Sequence, residues 1–68
     1  MTDPDIAVRD EGTVVGLIPM TEEGRAWIDD NLIYESWQWF GGALCVEPRA
    51  AEDIIFIMED QGLVVGRS

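Results

Sequence analysis

The side chains able to do chemistry in this sequence are almost all carboxylates. Fourteen Asp and Glu stand among 68 residues beside four Arg, with no His and no Lys. Without imidazole there is no Cys-His pair, no Ser-His-Asp triad and no histidine metal ligand. Without lysine there is no Schiff base and no phosphate-binding loop of the Walker type, and no G-x-G-x-x-G occurs. One cysteine, Cys45, excludes an internal Cys-rich zinc site. Carboxylate pairs acting as acid and base, or holding Mg²⁺ or Ca²⁺, are what remain. The acids do come in pairs: Asp10-Glu11, Glu22-Glu23, Asp29-Asp30, Glu52-Asp53 and Glu59-Asp60. Neighbours on a helix point about 100° apart, so such pairs do not converge on one ion or one bond. Asp3-x-Asp5 lacks the rest of a calcium loop. The expectation is a protein without catalysis, metal or cofactor, acting by binding another macromolecule.

The net charge of −10 bears on which one. Such a surface repels nucleic acid and anionic lipid and attracts basic proteins. Solubility alone is the competing explanation, although it asks only about 2–8 net charges of a small domain. The chain is not a disordered acidic tail. Of its residues 47% are apolar, including three Trp and two Phe, and these favour a folded core. At this length the core is small, and a partner or second copy can complete it. One domain over residues 1–68 is expected, with residues 1–4 frayed. Cys45 sits in an apolar run, Ala43 to Val46, as a small buried thiol does. No charged and apolar leader opens the chain and no apolar run approaches a membrane span, so a reducing cytoplasm is the expected location.

The elements that must position the acids read as follows. Ile6–Arg9 and Thr13–Ile18 flank Asp10-Glu11-Gly12, which suits a type I turn closed by a glycine bulge. Pro19 stops the second strand and Thr21 caps a first helix over about 22–31. Glu22 and Glu23 lie in its first turn, at the positive end of the dipole. Gly24, Trp27, Ile28 and Leu32 share its buried side, and Asn31 suits a left-handed end. Trp37–Val46 reads as one strand, with Gly41-Gly42 as a bulge in its middle. Trp37 and Trp39 would share one face of it, and Gln38 and Phe40 the other. Pro48 suits a first helical position, Ala50–Gln61 a second helix closed by Gly62, and Leu63–Gly66 a last strand. The order β-β-α-β-α-β implies an α+β domain of two layers, with two helices on one face of a mixed sheet of 3–4 strands.

Two acid pairs are misplaced within this frame. Asp29-Asp30 and Glu59-Asp60 lie in the last turns of their helices, beside the negative end of the dipole, where each costs a few tenths of a kcal/mol. Around Ile54, the residues Ala51, Ile55, Ile57 and Met58 make the buried stripe of the second helix. Phe56 falls about 200° away, among Arg49, Glu52, Asp53, Glu59 and Asp60. An aromatic there is a candidate anchor for a partner, or is covered by the N-terminal arm or a dimer mate. Trp37, Trp39 and Phe40 are core or a protein contact; base stacking would need a positive field that this chain lacks.

Thr21-x-x-Gly24-x-x-Trp27 and Trp39-Phe40-Gly41-Gly42-Ala43-Leu44-x-Val46-Glu47-Pro48-Arg49-x-x-x-Asp53 resemble segments of short acidic proteins encoded by phages and integrated mobile elements of bacteria. The resemblance covers roughly residues 17 to 65. It implies a bacterial host cytoplasm, which suits a chain with arginine but no lysine, as GC-rich genomes favour. Among such proteins are the anti-CRISPR inhibitors, many of them small, acidic and non-enzymatic, some of which occupy nucleic-acid-binding surfaces of CRISPR effector complexes. That class has no common motif, so no residue role is carried over. The expected function is an inhibitor that binds the basic nucleic-acid-binding surface of a larger protein or CRISPR effector complex and blocks its target DNA. The expected partner-binding residues are Asp29, Asp30, Glu52, Asp53, Phe56, Glu59 and Asp60. The alternative is a small regulatory or assembly module, a homodimeric adaptor or antitoxin-like subunit, whose acid only maintains solubility.

Overall fold

The computed structural model describes residues 3–67, so Met1 and Thr2 of the arm expected to fray lie outside the described residues. Asp3 is exposed, whereas Pro4 is half-buried and its ring lies where a β-carbon on Gly66 would stand. The elements are β1 (Ile6–Asp10), β2 (Val15–Pro19), α1 (Glu22–Asn31), β3 (Trp39–Phe40), β4 (Ala43–Val46), α2 (Pro48–Asp60) and β5 (Val65–Arg67). The α+β class holds, but the sheet has five strands, in the order β3-β4-β2-β1-β5. All neighbours pair antiparallel except β1 and β5, which are parallel.

The extra strand comes from the segment read as one strand over Trp37–Val46. Ser36–Gln38 is a single 3-10 turn, and the chain then doubles back between β3 and β4. Gly41 and Gly42 have φ of +59° and +80°. Positive φ at both central positions makes a two-residue hairpin turn of the I′ kind, and glycine takes it without strain. The glycine pair is therefore a reversal of direction and not a bulge. Trp37 stands on the 3-10 turn, so it does not share a strand face with Trp39.

Three smaller readings also change. Pro19 ends β2 within the ladder, opposite Ile6, and the first loop is longer than expected, since Asp10 pairs with Val15. Asn31 is not left-handed: Leu32 beyond it is extended, and the Asn31 amide instead donates to the Trp27 carbonyl at 2.9 Å. The buried stripe of α2 is Ala51, Ile55 and Met58, with Ile54 half-buried. Ile57 is 44% exposed, so the stripe is centred one residue beyond Ile54.

The start of α1 and the end of α2 are chemically closed. The Thr21 hydroxyl accepts the Gly24 N–H at 3.1 Å. At the end of α2 the N–H groups of Gly62 and Leu63 donate to the carbonyls of Glu59 and Met58. With Gly62 at φ +92°, that pair of bonds is a Schellman closure.

One apolar cluster holds the layers together. Ile6, Leu17, Ile28, Leu44 and Met58 are its largest fully buried side chains, with Val15, Trp27, Ala51 and Ile55 around them. The strand members share one face, because the register aligns Val8, Leu17, Leu44 and Trp39 in one cross-strand row. Every helical core residue packs against that face, so α1 and α2 cover the same side of the sheet. Trp27 Nε1–H donates to Gln61 Oε1 at 2.7 Å and ties α1 to the end of α2.

Candidate functional site: an acidic helix face around Phe56

The outward side of α2 carries the expected cluster. Glu52, Asp53, Glu59 and Asp60 are exposed and stand four and three residues before and after Phe56. On a helix those are its nearest surface neighbours, about 5–6 Å away between β-carbons. Phe56 is itself 71% exposed, with no element over it among the described residues. Ile57, expected in the buried stripe, instead extends the apolar spot sideways, because its exposure depends on how α2 is rotated against the sheet. No basic residue occupies the last turn of α2 to balance Glu59 and Asp60. The ion pairs among the described residues, Arg9–Glu11 at 3.7 Å and Arg25–Asp29 at 3.3 Å, involve none of these four carboxylates.

The other two expected residues lie elsewhere. Since β4 runs antiparallel to β2 and parallel to β5, the crossover helices α1 and α2 run in opposite senses. Their two acidic C-terminal ends therefore point to opposite ends of the helical layer. Asp29 is also engaged within its own chain. It accepts from Arg25 Nε, four residues earlier, and from the Tyr34 hydroxyl. Arg25 lies 4.3 Å over the Trp39 ring, and Tyr34 meets that ring edge-on at 5.5 Å. The Tyr34 hydroxyl, with Arg25 assisting against partial desolvation, holds the Asp29 carboxyl below its ordinary range. Asp29 thus fastens the connector after α1 to the helix, and Asp30 remains exposed beside it. The Arg25–Asp29 spacing was a readable signal for this pairing; the arrival of Tyr34 was not.

Among the described residues no group of three or more acidic, Cys or His side chains is placed to hold a metal ion. Asp10 and Glu52 do line one crevice, beside Arg67 and over Val8 and Ile55. It encloses about 170 Å³, below the roughly 300–1,000 Å³ of a small-molecule site. No helix among the described residues is long and apolar enough to cross a membrane.

A further surface is the sheet face opposite the helices, and of the aromatic residues read from the sequence it is Phe40 that stands there. This face presents Ala7, Arg9, Gly16, Ile18, Phe40, Ala43 and Cys45, the partners in register that alternate with the core residues. The alternation Val15-Gly16-Leu17-Ile18 was its signal in the sequence. Comparison of the chain with family models, with curated proteins and with solved structures yields no match to any of the three.

Proposed function

We propose that this protein is a non-enzymatic inhibitor that docks the outer face of α2 on a basic, nucleic-acid-binding surface of a larger protein. Its most concrete form is an anti-CRISPR protein that blocks target-DNA binding by an effector complex. One observation carries the reading: Phe56 is exposed at the centre of Glu52, Asp53, Glu59 and Asp60. A buried aromatic ringed by polar contacts is how interface anchors are built. The four carboxylates are acceptors for the Arg and Lys that otherwise hold phosphates, and the net charge of −10 speeds encounter with a positive surface. The mechanism is occupancy: the carboxylates neutralise the phosphate-binding cations while Phe56 enters an apolar gap between them.

The test is a titration of a purified CRISPR effector complex, with labelled target DNA as readout. Saturating protein is expected to release the DNA, and direct binding to the complex should weaken as salt rises. Phe56→Ala is expected to weaken it at least tenfold. Full DNA binding at saturating protein would remove the anti-CRISPR form.

A further inference from the structure

With both helices on one side of the five-stranded sheet, no element among the described residues covers the other side, where only the Pro4 ring packs, against Gly66 beside Ala7. Sheets ordinarily bury each apolar face against something. Here the uncovered side includes Ile18, Cys45, Ala7 and Ala43, and Phe40 stands on it 80% exposed. Gly16 and Ala43 are adjacent small residues, a β-carbon on Gly16 coming within 3.3 Å of that of Ala43. The floor is therefore low. Arg9, Glu11, Val14 and Phe40 rise around it and enclose a groove of about 320 Å³.

The charge pattern narrows what can lie there. In a chain of fourteen acids, none of the strand residues on this face is acidic. Among its described strand residues the only charge is Arg9, with Glu11 at the rim in a long contact of 3.7 Å. A basic partner finds no carboxylates to pair with across the floor, and an acidic one finds a single cation. A copy of the same face meets both conditions, since it is neutral and apolar and brings one Arg9 and one Glu11. It also carries a knob, Phe40, and a hollow over Gly16 and Ala43 on one surface, as a two-fold interface requires.

We propose that two copies of the protein pack sheet to sheet across this face, Phe40 of each seated in the groove of the other and Arg9 pairing with Glu11 across the two-fold axis. The area sets the strength. Strands about 4.8 Å apart and two to five residues long give a footprint of roughly 300 Å² per copy. That is well under half of the roughly 800 Å² per partner of a standard stable interface. The dimer is therefore a weak one, formed only at high protein concentration. Salt must strengthen it, because each copy carries −10 and screening removes their mutual repulsion. Binding to a basic partner through α2 has the opposite salt dependence, so the two ideas succeed or fail separately.

Sedimentation equilibrium of the protein from 10 µM to 1 mM, at low and at high salt, tests this. The expected result is a monomer–dimer equilibrium that tightens with salt. Phe40→Asp should weaken it at least tenfold, and Phe56→Ala should leave it unchanged. Should Phe40→Asp not fold, as judged by circular dichroism, Arg9→Glu supplies the same test on an exposed side chain. A strict monomer at 1 mM and high salt overturns the proposal. So does a dimer insensitive to the sheet-face substitution that folds, or one lost with Phe56→Ala.

Discussion

Gly24 of α1 lies against the carbonyl of Asp5. A β-carbon at position 24 would overlap that oxygen, and it would stand 3.0 Å from the carbonyl carbon and 3.1 Å from Ile6 Cδ1. The same Asp5 receives the Thr21 hydroxyl at 2.8 Å on one carboxylate oxygen and the Val64 N–H at 3.0 Å on the other. Its carbonyl accepts the Met20 N–H at 2.8 Å. One residue before β1 thus joins the start of α1 to the approach of β5.

Gly24→Ala is accordingly expected to destabilise the fold, although alanine is the better helix former. The obstacle is backbone, which cannot rotate aside, so the cost is at or above the upper end of the roughly 1–3 kcal/mol typical of overpacking. Urea denaturation measures it. A variant as stable as the parent would mean that α1 does not approach Asp5 this closely.

Thr21→Ala removes a helix cap and the hydrogen bond to Asp5 together. Caps are worth about 1 kcal/mol, and the loss here should exceed that of an isolated cap. A double-mutant cycle with Asp5→Asn should show coupling between the two positions.

The acid limb of stability follows from Asp5 and Asp29. The Val64 N–H first, then the Thr21 hydroxyl, lowers Asp5 from its ordinary value of 3.8; the Tyr34 hydroxyl and Arg25 lower Asp29. A carboxyl with a folded pKa below its unfolded one leaves the unfolded state binding more protons, so stability rises with pH across that window. The contribution is complete above the ordinary value and is lost as pH falls through the folded value. Thermal melts between pH 2 and 5 should show a slope that Asp5→Asn and Asp29→Asn each flatten.

The Gly41-Gly42 turn should tolerate Asn better than any β-branched residue. Gly42→Val places a branched side chain at φ +80° and is expected to cost at least the 1–2 kcal/mol of a left-handed L-residue. Gly41→Asn, at φ +59°, should cost clearly less. Both are read from denaturation midpoints.

Phe56→Ala separates binding from folding. With most of the ring in solvent, stability should change by no more than about 0.5 kcal/mol, whereas partner binding should fall at least tenfold. A large loss of stability would show that the ring is covered.

What could be read from the sequence alone was the local part. The α1 limits, the Thr21 cap and the Gly62 closure depend on residues within a few positions of one another, and each is where its residue type belongs. The place of Phe56 opposite the core stripe is likewise helix arithmetic. Gly41-Gly42 was legible in principle as a hairpin, but a strand of two residues, Trp39–Phe40, is too short to show an alternation. The rest depends on contacts between distant segments. The pairing of β5 beside β1, 59 residues apart at Ile6 and Val65, leaves no local pattern. Nor could a helix's own periodicity say where the sheet would press on α2, which is why Ile57 was misplaced. The opposed senses of α1 and α2 divide the acid into two regions, and in one of them Arg25 and Tyr34 engage Asp29. The tertiary structure decided that Asp29 is engaged within the chain while the acids around Phe56 take part in no ion pair among the described residues, and that most of one sheet face is left uncovered by them.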